Sequence, residues 1–156
     1  MRNLPLLPVV LGLAGLIPFV ALSVVSGTVS ADTAGAAGLG LVAYAAVILS
    51  FLGGVHWGFA LMTVDPPGVQ RARYGLGIMP SLVGWAGLLV TFAGLITIGL
   101  LIEAAGFVAL TIVEGRAAHD GHLPPGYMGL RYVLSAVVIA CLVSVCLVRV
   151  FGTGIV

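Results

Sequence analysis

Charge is what this sequence has least of: six arginines and five acids are all that 156 residues contain, 7% of the chain, and lysine is absent. A soluble domain carries about 25% charged residues because a solvated surface needs them. So little charge excludes a water-soluble particle, and hydrocarbon must be the solvent for most of the surface. A net charge of +1 gives no case for nucleic acid or an acidic partner. No stretch is polar and long enough to form a separate soluble domain. Cysteine is scarce too. Cys141 and Cys146 share one apolar run, and at that spacing on a helix they face different ways, which excludes a disulfide between them and leaves two small buried apolar side chains. Also missing are a nucleophile–base constellation, a phosphate loop and a carboxylate pair. No catalytic residue, metal or cofactor is therefore expected, and the chain reads as a non-enzyme. The all-arginine basic set is associated with GC-rich coding in a bacterium.

What is present is apolar surface: 61% of the residues are hydrophobic and the mean hydropathy is +1.26. Five runs are long enough to cross about 30 Å of hydrocarbon at about 1.5 Å per residue: Leu4–Val25, Leu39–Met62, Tyr74–Phe92, Leu95–Val113 and Tyr132–Phe151. They predict an all-α integral membrane protein, one transmembrane domain over residues 1–156. The first run is too long for the core of a signal peptide, although Val29-Ser30-Ala31 resembles a cleavage site, and it is read as a span. The third and fourth are divided only by Ala93-Gly94, which favours a tight hairpin there over one long helix. Arginine placement agrees. With five spans and the N-terminus inside, Arg2, Arg71, Arg73, Arg116 and Arg131 fall on the cytoplasmic side and only Arg149 outside, a clear positive-inside bias. The C-terminus is expected outside.

Pro66-Pro67-Gly68 leading to Arg73-Tyr74 and Pro124-Pro125-Gly126 leading to Arg131-Tyr132 share the pattern P-P-G-x-x-x-x-R-Y. Prolines stop one helix, glycine permits the turn, and Arg-Tyr is expected to anchor the next helix at the headgroups. The repeat suggests one lone helix followed by two similarly oriented hairpins. Trp57 is expected as a further interfacial anchor. Ala46, Ser50, Gly54 and Gly58 recur every four residues and predict a small-residue stripe for helix packing, against this chain or another. Glu103 is the acid deepest in a span, roughly 12 Å from Leu95. Gly99 and Gly106 on its face point it at another helix, and a carboxyl there is protonated, paired or wetted. It is either a hydrogen-bonded structural acid or a contact to a proton, ligand or partner. His56 lies in the second span without a second intramembrane histidine. His119, Asp120 and His122 approach it in sequence only from a wet loop, so a hydrogen-bonded histidine is favoured over a metal ligand. Pro80 should kink the third helix.

The run Ser50-Phe51-Leu52-Gly53-Gly54-Val55-His56-Trp57-Gly58-Phe59-Ala60, then Tyr74, Pro80 and Trp85, then Leu123-Pro124-Pro125-Gly126-Tyr127 ahead of Leu130-Arg131, resembles a bacterial and mitochondrial membrane family known as domain of unknown function 3429. Its most specific part is G-G-x-x-W-G-x-A. The resemblance implies an inner-membrane location, here the bacterial cytoplasmic membrane, and no assigned reaction. It also implies that the position of His56 need not be histidine, which weakens a metal reading. Two functions follow. The first is a non-catalytic accessory or assembly subunit of a larger inner-membrane complex, such as a respiratory one, with an integral-membrane partner or a second copy of the chain. The alternative is a binder or carrier of a small hydrophobic molecule or proton (a lipid, quinone or tetrapyrrole), using Glu103 and the kinked third helix.

Overall fold

A computed structural model describes residues 5–28 and 30–152, so Arg2, Leu4 and Val29 lie outside the described residues. Six helices follow in order: α1 Leu6–Ala14, α2 Ile17–Thr28, α3 Ala31–Met62, α4 Pro67–Phe92, α5 Ile96–His119 and α6 Tyr127–Phe151. Taken with the α1–α2 pair as a single span, five segments are long and apolar enough to cross a membrane. Helix is the only regular structure among the described residues, as lipid requires of a spanning segment that is not a closed barrel.

The elements differ from the sequence expectation at their ends. The first span is broken at Gly15-Leu16 because Pro18 has no N–H for the carbonyl of Ala14. Tyr44 on α3 donates its hydroxyl to the Gly15 carbonyl at 3.0 Å. α3 begins eight residues before Leu39. α4 starts at Pro67, a residue suited to the first helical position because its missing N–H would be unpaired anyway. α5 runs six residues beyond Val113 and α6 begins five before Tyr132. Apolar runs report the part of a helix that lipid touches, and these helices extend past it.

Gly94 does divide α4 from α5. Its φ of 88° is open to glycine at no steric cost, and Leu95 N–H reaches the Val90 carbonyl at 3.2 Å across it, closing the helix end. The two proline-containing turns meet at the opposite end of the bundle, where Arg73 Nη2 donates to the His122 carbonyl at 2.9 Å. Pro8 of α1 shares a groove with Tyr127 of α6, so the chain enters at that same end. A cytoplasm-only reporter fused to each terminus should be active at the N-terminus and silent at the C-terminus. Activity at both ends, or only at the C-terminus, would refute the orientation read from the arginines.

Phe19, Leu41, Val42, Ala45, Leu49, Leu100, Phe107 and Leu142 form the core. Because lipid is as apolar as leucine, close van der Waals packing is what holds such helices together. Between α3 and α4 backbone meets backbone closely. A methyl group on Gly53 would stand 2.7 Å from the Gly77 carbonyl, and one on Gly84 would stand 2.8 Å from the Ala46 Cα. Two turns beyond Gly53 and Gly77, Gln70 Nε2 donates to the Ala60 carbonyl at 3.2 Å.

Candidate functional site

The polar centre of the molecule is a carboxylate inside the bundle. Glu114 of α5 is wholly buried and engages donors from three directions. His56 Nε2 lies 3.0 Å from Oε1, the Tyr127 hydroxyl donates to the same oxygen at 2.9 Å, and Arg131 Nε donates to Oε2 at 2.5 Å. His56 is 2% exposed and Arg131 5%. Three helices thus close on one acid: α3 brings His56, and α6 brings Tyr127 and Arg131 one turn apart. With Arg131 against Glu114, the set is balanced when His56 and Tyr127 are neutral, the condition under which buried ionic groups are tolerated.

Two cavities reach this cluster from opposite sides. On the loop side a pocket of about 320 Å³ is lined by His56, Arg73, Leu76, Arg116, Asp120 and His122. On the other side a groove of about 460 Å³ runs between α1, α3 and α6, walled by Leu7, Leu11, Phe51, Val55, Leu130 and Leu134 together with Tyr127 and Arg131. A smaller apolar cavity of about 150 Å³ adjoins it and shares Arg131. Arg131 Nη2 is buried with no hydrogen-bond partner. An unsatisfied guanidinium donor beside an apolar groove is costly, and a ligand acceptor would relieve it.

The expected anchors fall into two groups. Arg73 and Arg131 are not headgroup anchors: they are 7% and 5% exposed, each drawn inward by an acid. Arg73 pairs with Asp65 at 3.1 Å, donates to Thr63 Oγ1 at 2.7 Å and lies over the Phe59 ring. The two repeat arginines therefore do the same thing, each neutralising an acid that precedes it in its hairpin, Asp65 in the turn before α4 and Glu114 on α5. Trp57 and Tyr132 are exposed at 41% and 52%, and Tyr74 meets Trp57 edge to face at 5.5 Å.

Within the chain the four-residue stripe divides. Ala46 is buried against Gly84 and half-buried Ser50 donates back to the Ala46 carbonyl. Gly54 and Gly58, however, are exposed, with nothing within 4 Å of an added methyl. Contact within the chain falls on Gly53 and Ala60 instead. A four-residue step overshoots the 3.6-residue turn by about 40°, so the stripe has drifted about 120° by Gly58. The buried positions Val42, Ala46, Leu49, Gly53, His56 and Ala60 alternate steps of three and four and stay on one face.

Glu103 is wholly buried, and neither carboxylate oxygen has a hydrogen-bond partner. It packs against Gly87 of α4, where an added methyl would collide with it, while Thr91 donates to the Gly87 carbonyl at 2.9 Å. The cavity beside Pro80 is lined by Leu76, Met79, Val83, Leu110 and other apolar residues, without Glu103. Asp120 and His122 share a pocket with His56, whereas His119 points away, 91% exposed.

The family described as protein of unknown function (DUF3429) matches this chain over residues 4–147. The chain belongs to that family. It is 38% identical over 152 residues to transmembrane protein 69 of Xenopus tropicalis, an alignment covering 92% of this chain and 55% of that protein. The chain thus spans about half the length of this curated relative. No solved structure matches it. Membership carries a multi-pass membrane location and leaves the chemistry to the site.

Glu114 is the residue that sequence reasoning missed, because the apolar run stops at Val113. A signal was there. Glu114 follows Glu103 by eleven residues, which returns to within about 20° of the same helix face, and Phe107 and Leu110 fill that face between them.

Proposed function

We propose that this member of the family is a non-catalytic bacterial inner-membrane protein that binds an acidic, single-chain amphiphile drawn from the bilayer. The head sits on Arg131 and the chain lies along the groove between α1, α3 and α6. The observation that carries this is Arg131 Nη2, buried and unpartnered at the wall of an apolar groove. A groove of about 460 Å³ lies within the range of about 300–1,000 Å³ usual for small-molecule sites, which combine apolar walls with a few fixed polar groups. Arg131 lies about 6 Å into α6, a depth a lipid-like acid reaches with its head near the interface and its tail in hydrocarbon. Of the two functions the sequence leaves open, this is the second, moved from Glu103 and the Pro80 kink to the Glu114 cluster. An accessory role in a larger complex retains one supporting observation, the outward-facing Gly54 and Gly58 beside exposed Phe51 and Leu61, a face that a helix of a partner protein could approach closely.

The test compares oleate with oleyl alcohol, which has the same chain and no charge, on the full chain in a neutral detergent. Oleate should bind about 10–100-fold more tightly, the worth of one charge-assisted hydrogen bond. Arg131→Gln should erase that preference. Val55→Trp, which fills the groove and leaves the ion pair intact, should abolish binding of both. Equal affinity for acid and alcohol in the native chain, or binding of phosphatidylglycerol with none of oleate, would overturn the assignment.

A further inference from the structure

We infer that the anionic ligand and a proton bind this site together, the ligand on the groove side at Arg131 and the proton on the loop side at His56. The inference rests on the ligand assignment above and adds to it a coupling between the two cavities.

Charge must balance closely in so buried a place. Arg131 and Glu114 neutralise each other, and both are at least nine-tenths buried. An anionic head arriving at Arg131 Nη2 adds a negative charge with no counterion of its own. Desolvated charge without a partner is expensive, so occupancy favours any change that restores neutrality. The groups facing His56 limit which change that is. Glu114 on α5 already holds Arg131. From α4, Arg73 is committed to Asp65 at 3.1 Å. Arg116 and Asp120, further along α5 and at its end, are exposed, where water and salt screen them. His122 lies in the turn before α6 and lines the same pocket, but has no hydrogen bond to Glu114, whose donors are His56, Tyr127 and Arg131. Tyr127 and Arg131 on α6 carry their full complement of protons. His56 is the described side chain that both touches Glu114 and lines the loop-side pocket.

The step is a simple addition. Nε2–H stays donated to Glu114 Oε1, and a proton from pocket water adds to the other ring nitrogen, Nδ1. Glu114 then stands between two cations, His56 on Oε1 and Arg131 on Oε2, while Arg131 Nη2 serves the ligand. The net charge of ligand and cluster returns to zero. Release of the ligand returns the proton to the pocket. In the chain's expected orientation that pocket opens toward the cytoplasm, so ligand affinity follows the pH of that compartment.

The experiment uses the full chain in nanodiscs of neutral lipid and decanesulfonate as the probe, because its head stays ionised throughout and any proton taken up belongs to the protein. Calorimetric titration near pH 7.5 in two buffers of different protonation enthalpy gives the proton count. About one proton should be taken up per decanesulfonate bound, and where uptake is complete affinity should rise about tenfold for each unit the pH falls. His56→Gln keeps an N–H for Glu114 but cannot take the proton, so it should bind with no uptake and no pH dependence. In the native chain the ring signals of His56 should shift to the imidazolium form when decanesulfonate is added at fixed pH, a check that needs no substitution. Binding without proton uptake overturns the coupling and leaves the ligand assignment standing. Uptake that persists in His56→Gln also overturns it, by putting the proton elsewhere. No binding of decanesulfonate to the native chain overturns both.

Discussion

Glu114→Leu should cost about 3–5 kcal/mol of stability, because it leaves Arg131 charged and buried with no counterion. Glu114 is the shared acceptor of His56, Tyr127 and Arg131, so the substitution also strands two further donors. Reversible unfolding in mixed micelles, followed by circular dichroism or by protease sensitivity, reads the loss. Arg131→Met alone should be comparably damaging, since Glu114 is then the stranded charge. The informative comparison is the pair. Glu114→Leu with Arg131→Met removes both charges and substitutes apolar side chains of similar bulk, and should regain most of what each single change loses. A single Glu114→Leu chain within about 1 kcal/mol of the native one would mean that the cluster contributes little to the fold. A double variant as unstable as the sum of the singles would mean that the ion pair is not what links the two residues.

Second in expected size is the α3–α4 seam. Gly53→Leu and Gly84→Leu each drive a branched side chain into backbone: the Gly77 carbonyl in one case and the Ala46 Cα in the other. Neither neighbour can rotate away, so the helices must separate along their length, at about 3 kcal/mol or more, the upper end of the usual cost of overpacking. Gly54→Leu and Gly58→Leu, on the same helix, point into open space and should fall within about 0.5 kcal/mol of the native chain. One unfolding series over the four variants decides the register. If the losses fell on Gly54 and Gly58 with Gly53 silent, the four-residue stripe would be the true seam.

These two experiments also mark where the sequence was legible. Five spans, the hairpin at Gly94 and the placing of the two proline turns at one end could be read directly, because hydrocarbon leaves a chain few options and arginine distribution leaves fewer. Packing faces were harder. In a soluble helix, polar residues outline the buried stripe. Here both faces are apolar, and small residues are abundant enough that spacing alone chose Gly54 over Gly53. The cluster was harder again, for a different reason. Arg73 and Arg131 sit where headgroup anchors usually sit, and only the acids Asp65 and Glu114, one in a turn and one just beyond an apolar run, show that they turn inward. Tyr127 looked like part of a turn. Glu103 drew attention by its depth, yet the acid with partners is Glu114, one face-repeat further along α5.

The break at Gly15 has a consequence for time as well as for shape. α1 buries none of its nine residues, so it is the wall of the groove least held by the core, tethered through the Tyr44–Gly15 hydrogen bond at its inner end. Segments with few buried contacts open at a small fraction of the free energy of the whole fold. If the groove is occupied as proposed, Arg131 supplies the fixed polar contact from a helix held by an ion pair, while the exchange of the occupant follows the opening of α1. On that proposal, a change that loosens the break at Gly15 shortens the stay of an amphiphile while leaving its contact with Arg131 as it is.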